Sequence, residues 1–461
     1  MRSQGLGLFA PLRQRNFRFY YAGAVLAMVG SQLTLIAFPW LVLKVTGDPL
    51  AMGLVFAVEG IPRAAFMIFG GAFTDRFSPR TVLLVSTALR GAVMLLLGSL
   101  TLADVVSTPL IFAAALVFGV LDAFAFPASS AFVPRLLDAS QLPAGNALIQ
   151  GVNQITTMVG PAAAGLVIAG FAGYALGDGA AANTSAVADL PGIAAVFIFV
   201  GLAFAVALGL LSLVTAGGRT GPLACFSARQ ILNEVGEGFS AMWNDLPVRI
   251  ITLVFTVFTL FWRGPYLVGV PVLCEMRFEQ GALAFGFFGS AMGLGALFGT
   301  IFAGALARPG ARWFGLLILI DTAVLGCSFL VYAQADTIAP ALAATVLAGL
   351  FDGYMVVLLI SWLQTRVPGE LMGRVMSMIM FFNSGLAPVS AAGAGVLISL
   401  SLTGMFMGAG GLLVTLSLVG LSIPVVRTLG MENADSADGF QRLADVSPAA
   451  TRPDTLGSNR G

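Results

Sequence analysis

Stretches of twenty or more apolar residues, separated by brief polar turns, recur along almost the whole chain. Each is long enough to cross a hydrocarbon core of about 30 Å as a helix. Residues are 58% hydrophobic and only 10% charged, whereas about a quarter are charged in a soluble domain. The chain therefore reads as an integral membrane protein. A transmembrane barrel would alternate in stretches of about ten residues, and that pattern is absent, so the expected class is all-α.

The apolar runs place spans at 17–43, 51–73, 81–102, 108–132, 148–171 and 192–214, then at 249–274, 281–306, 313–332, 339–363, 374–398 and 404–426. Twelve spans put both termini on one side. With that side cytoplasmic, the arginines of the loops and termini gather inside, and only Lys44 and Arg277 fall outside. This is the bias expected of cytoplasmic loops. Residues 1–16 read as a cytoplasmic leader that runs into a segment too long for a signal peptide.

One short charged turn, Gly71-Ala72-Phe73-Thr74-Asp75-Arg76-Phe77-Ser78-Pro79-Arg80, stands between the second and third apolar runs. Its excess of arginine over acid marks a cytoplasmic surface. Sliding the chain against itself reveals a repeat at an offset of roughly 230 residues. Pro39 then falls on Pro271, Gly53 on Gly286, Gly60 on Gly293, Gly71 on Gly304 and Asp122 on Asp352. Two six-helix bundles follow, 17–214 and 249–426. Between them, 215–248 forms a cytoplasmic linker in which Arg229, Glu234, Glu237 and Asp245 alternate with Ile231, Leu232, Val235, Phe239 and Trp243. That pattern suits an amphipathic helix lying along the membrane. The tail 427–461 has the small, polar composition of a disordered segment.

Composition also excludes several classes. A net charge of +1 without a basic tract gives no sign of nucleic acid. Three scattered cysteines, Cys225, Cys274 and Cys327, suggest neither a disulfide framework nor a metal site. There is no histidine, which leaves any proton chemistry to carboxylates. No phosphate loop or reactive constellation points to an enzyme, and nothing calls for a cofactor. The outer loops are too short for the extramembrane domain of a receptor.

The charged turn and the duplicated six-helix pattern resemble the major facilitator superfamily, secondary transporters built from two related six-helix halves. Gly71, Phe73, Asp75, Arg76 and Arg80 fit that family's GxLaDRxGRR-type loop, with Ser78 in place of the usual glycine and Pro79 in place of a basic residue. In the second half, Gly304-Ala305-Leu306-Ala307-Arg308-Pro309-Gly310-Ala311-Arg312 is a degenerate copy, with Arg308 where an acid would stand. Asn16-Phe17-Arg18, Phe126-Pro127-Ala128, Asn146-Ala147-Leu148 and Asp245-Leu246-Pro247-Val248-Arg249 resemble the bacterial enterobactin-exporter-like and macrolide-efflux-like branch.

Seven ionisable residues fall inside spans: Glu59, Arg63, Arg90, Asp122, Arg263, Asp321 and Asp352. Each is costly in hydrocarbon and should face a partner, the bundle interior or water. The resemblance implies that the first, fourth, seventh and tenth helices line a central cavity, which would gather Asp122, Arg263 and Asp352 there. Burial favours the protonated form of a carboxylate and a nearby arginine opposes it, so Asp122, Asp352 and Glu59 are the candidates for proton coupling. Structural ion pairs are the alternative. Glu59 and Arg63, four residues apart, can pair along one face. Arg90 and Asp321 are expected at the periphery, in contact with backbone or neighbouring helices.

Gln32, Asp122, Arg263, Asp352 and Asn383 are candidate groups for the substrate cavity, although the amides could equally bridge helices. Gly160 and Pro161 are expected to kink the fifth span, since proline removes a backbone donor; the resemblance associates that region with antiport. Gly71, Asp75, Arg76 and Arg80 would form a cytoplasmic gate.

Two functions follow from the resemblance: a proton-coupled exporter of a small amphipathic molecule such as a drug, siderophore or secondary metabolite, or an uptake permease or facilitator for a small solute on the same fold. Either would act as a monomer in the bilayer of a bacterial inner membrane.

Overall fold

The computed structural model describes residues 9–176, 189–215, 240, 243, 246–306, 313–367 and 369–424, without the side chains of 67–77, 172–176, 369–378 and 380–384. No strand occurs among the described residues. The helices, in chain order, are α1 (Arg15–Thr46), α2 (Pro49–Phe77), α3 (Pro79–Leu102), α4 (Thr108–Phe132), α5 (Leu142–Leu176) and α6 (Leu190–Ser212). They continue with α7 (Leu246–Arg277), α8 (Ala282–Ala305), α9 (Phe314–Gln334), α10 (Ile338–Arg366), α11 (Gly369–Leu400) and α12 (Leu402–Ser422). Eleven are long and apolar enough to cross a membrane over their described residues, and the described part of α11 adds a shorter apolar helix, Gly385–Leu400. Helices are the natural outcome here, because a chain in lipid must satisfy every backbone donor internally.

Packing repeats after six helices. Contacts of α2 with α4, α3 with α6 and α1 with α5 recur as α8 with α10, α9 with α12 and α7 with α11. The two halves meet along two seams, α2 against α11 and α5 against α8. Small residues let the backbones approach closely there, as is usual between membrane helices. A Cβ on Gly286 would lie 3.2 Å from Ala162 Cα, and one on Gly395 would lie 3.0 Å from Leu50 Cα. Phe199, Leu202 and Val206 form an exposed apolar stripe on α6, suited to lipid.

Turn chemistry separates the helices. Gly47 ends α1 in the left-handed region at φ 63, where glycine carries no Cβ penalty. Asp48 then caps α2 by accepting from Leu50 N–H at 2.8 Å, and Ser401 caps α12 by accepting from Gly404 N–H at 3.0 Å. The charged turn is shorter than its sequence suggests. Helix α2 continues through Phe77 and α3 starts at Pro79, leaving Ser78 alone between them at φ 71 and ψ 131. The linker 215–248 and the tail 427–461 fall almost wholly outside the described residues.

Candidate functional site

A cavity of about 260 Å³ lies between the halves, with walls from both. Its charged groups are Glu59 and Arg63 on α2, Arg90 on α3, Asp122 on α4 and Arg263 on α7. Phe38, Phe56, Phe118 and Leu267 supply apolar wall. Position 119 sets the geometry. A Cβ on Gly119 would lie 2.8 Å from the Glu59 carbonyl carbon, so α4 rides directly on the backbone of α2. One turn later, Asp122 faces Arg63.

Four of the five charges form a chain of alternating sign. Arg63 Nη1 lies 3.5 Å from Glu59 Oε1 and 3.8 Å from Asp122 Oδ2, while Arg90 Nη2 pairs with Asp122 Oδ1. Arg90 is thus not peripheral. It reaches inward from α3 to the cavity, its side chain only 15% exposed. Mutual pairing of this kind is how charge persists in an apolar bundle.

Arg263 differs from these four. It is exposed into the cavity, with its guanidinium carbon 6.0 Å from the centre of the Trp262 ring, and makes no ion pair or hydrogen bond among the described residues. On the same helix, Phe255, Phe258, Trp262 and Tyr266 form a ladder with ring separations of 6.0, 5.6 and 5.2 Å. Immediately after Arg263 and Gly264, α7 widens into a π-helical segment, Pro265–Gly269. Ser390 of α11 stitches this break: its hydroxyl accepts from Gly264 N–H at 2.6 Å and donates to the Leu260 carbonyl at 2.5 Å. π-turns inside helices are frequent near functional sites.

Asp352 does not join Asp122. It lines a separate pocket of about 50 Å³ with Asp321, walled by Ile251, Phe255 and Phe258 of α7 and by Met355 and Leu359 of α10. The repeat equated Asp122 and Asp352 in depth, but depth leaves the direction around the helix axis open. Asp321 Oδ1 is buried without a hydrogen-bond partner among the described residues.

Gln32 bridges helices, donating from Nε2 to Thr157 Oγ1 at 3.1 Å. Gly160 faces it so closely that a Cβ there would lie 2.5 Å from Gln32 Cβ. Pro161 turns instead to the seam, where it packs on Gly289 of α8, and the next residue, Ala162, donates its N–H to Ser290 Oγ at 2.9 Å. Asn383 and the side chains of Gly71, Asp75 and Arg76 lie outside the described residues. Arg80 donates to the Ser212 carbonyl at the end of α6, at 2.9 Å.

A second charged cluster was not foreseen. Lys44, assigned from sequence to an outer loop, is in fact in α1 with its side chain 2% exposed. Its Nζ lies 3.1 Å from Asp189 Oδ2 and 2.6 Å from Glu275 Oε1, and it stands over the Trp40 ring at 5.2 Å. Trp40 Nε1–H donates to the same Asp189 oxygen at 3.0 Å. The sequence held one signal: Lys44 is the chain's single lysine, one turn beyond a tryptophan.

The Major Facilitator Superfamily model matches residues 20–392. The multidrug efflux pump Tap of Mycolicibacterium fortuitum is 25% identical over 422 residues, covering 88% of this chain and 95% of that protein. Multidrug efflux pump Tap of Mycobacterium tuberculosis is 24% identical over 428 residues, 88% and 93% of the two chains. Among solved structures, a bacterial homologue of the iron transporter ferroportin in an inward-facing state superposes with a TM-score of 0.66 at 15% identity, over 88% of this chain and 98% of that one. A D-xylose–proton symporter gives 0.64 at 14% identity, over 87% and 96%.

Proposed function

Because the chain belongs to the major facilitator superfamily, we propose that it is a proton-coupled exporter of small amphipathic molecules that works by alternating access. The observation that carries this reading is the cavity between the halves, where two carboxylates and three arginines meet apolar walls. Transporters of this architecture bind cargo near the bilayer midplane and expose it to each side by rocking one bundle against the other. The rocking bodies would be 17–214 and 249–426, with both termini cytoplasmic in a bacterial inner membrane. Export is favoured over uptake by the relatives described as multidrug efflux pumps.

Asp122, Asp352 and Glu59 are the carboxylates proposed to exchange protons. A proton on Asp122 would release Arg90 and Arg63 from it and so change the charge that cargo meets. Lys44, Asp189 and Glu275 would hold the outer end closed. Asp75 and Arg80, at the opposite ends of α2 and α3, would belong to the inner gate, with Gly160–Pro161 flexing at the seam.

Inverted vesicles with an imposed proton gradient test this. Wild-type vesicles should accumulate a transported probe, and Asp122→Asn or Asp352→Asn should move it by counterflow without responding to the gradient. Unchanged coupling in both variants would sink the proton assignment. Uptake is the second reading, favoured by the resemblance in fold to a D-xylose–proton symporter; accumulation only in right-side-out vesicles under an inward proton gradient would select it.

A further inference from the structure

We propose that the cargo of the central cavity carries an anionic group, a carboxylate or comparable oxyanion on an apolar body, and that Arg263 receives it. This rests on the transporter reading of the cavity and not on the direction of transport.

Charge carries the argument. The cavity's lining holds three arginines and two carboxylates, and the pairing among Glu59, Arg63, Asp122 and Arg90 uses all of them except Arg263. Among the described residues Arg263 is left as a cation without an ion-pair partner, mid-span and exposed into the cavity. Asp352, in the neighbouring pocket, lies within electrostatic reach of Arg263 but makes no ion pair with it. A charge with no contact partner at this depth is expensive unless water or cargo answers it.

The chemistry of the group narrows what can answer. A guanidinium presents a planar fork of donors that matches a carboxylate with two parallel hydrogen bonds. The Trp262 ring beside it restrains the fork, so less freedom is lost on binding. Phe38, Phe118 and Leu267 line the same cavity and suit an aromatic or aliphatic body. An organic cation would instead find both carboxylates engaged and the surplus charge repelling it.

Calorimetric binding to the purified full-length protein tests the proposal with three probes of one shape: 1-naphthylacetate, its neutral amide, and 1-naphthylethylammonium. Wild type should bind the anion most tightly. Arg263→Gln should weaken the anion by about tenfold to a hundredfold and leave the amide unchanged, with Arg263→Lys between. Should Arg263→Gln fail to fold, the Lys variant supplies the same comparison through lost bidentate geometry. A cation bound most tightly, an anion indifferent to Arg263, or binding of none of the three would overturn the inference. Flux into vesicles separates it from the reading beneath it. If binding follows Arg263 while no probe crosses, the transport reading fails and the anion site stands. Preferential movement of the cation fails the anion site and leaves transport standing.

Discussion

Lys44 Nζ of α1 lies 2.6 Å from Glu275 Oε1 of α7, and this contact joins one half of the molecule to the other. Asp189 completes the group from the start of α6, so a buried cation is shared between one carboxylate of its own half and one of the other half. The close approaches at Gly53, Gly60, Gly165 and Gly286 all lie between this end and the middle of their helices.

Lys44→Met should therefore destabilise the form closed at this end. Removing one member of a buried ion pair leaves the remaining charge uncompensated, at a cost of about 3–5 kcal/mol. Asp189 would be that charge, its side chain 8% exposed. Spin labels placed on the two halves at this end should report a longer distance. Adding Asp189→Asn to Lys44→Met should recover part of the lost thermal stability; a double variant less stable than the single one would contradict the account.

Ser390→Ala should lower stability by about 1–3 kcal/mol, because the Gly264 N–H would lose a buried acceptor. Gly264→Ala should be worse, since its Cβ would meet Ser390 Oγ at 2.6 Å and force α7 away from α11. Thermal unfolding in detergent gives both numbers, and a neutral Gly264→Ala would show that the two helices do not pack this tightly.

Arg90→Gln should damage transport more than Arg63→Gln. Arg90 is the less exposed of the two and pairs directly with Asp122, whereas Arg63 stands 3.8 Å from Asp122 with its side chain 35% exposed. Vesicle flux compared at equal protein is the measure. Equal losses, or a greater loss in Arg63→Gln, would place the weight of the network elsewhere.

Ser78→Gly should stabilise the protein by about 1 kcal/mol. A serine at φ 71 and ψ 131 occupies backbone space that only glycine enters without strain, and such residues cost on the order of 1–3 kcal/mol. The thermal midpoint of the variant should rise; a fall would mean that contacts of the serine side chain outweigh the strain.

The sequence made the twelve helices and the two halves plain because apolar runs and the offset repeat report length and order directly. Depth was legible too, since Glu59, Asp122 and Arg263 all lie within the cavity's span of the helices. The direction each residue takes around its helix was not. A helix apolar on all faces has no pattern from which to read that angle, so Arg90 read as peripheral and Asp352 as a companion of Asp122, whereas Arg90 lines the central cavity and Asp352 a separate pocket beside Asp321. Lys44 was hidden for another reason. A lone charge at the end of an apolar run looks like a loop residue until its partners, Asp189 and Glu275, are brought to it from far along the chain.

Arg263 and Glu275 both point from α7 toward the other half, one into the cavity and one to Lys44. In an unbroken α-helix, twelve residues of separation would turn the second about 120° away from the first. The wider π turns of Pro265–Gly269 rotate less per residue, and that under-rotation swings Glu275 back toward the face that carries Arg263. The π segment thus acts as a phase adjuster: it lets one helix turn both the cavity-lining Arg263 and the Lys44-paired Glu275 toward the same half of the molecule.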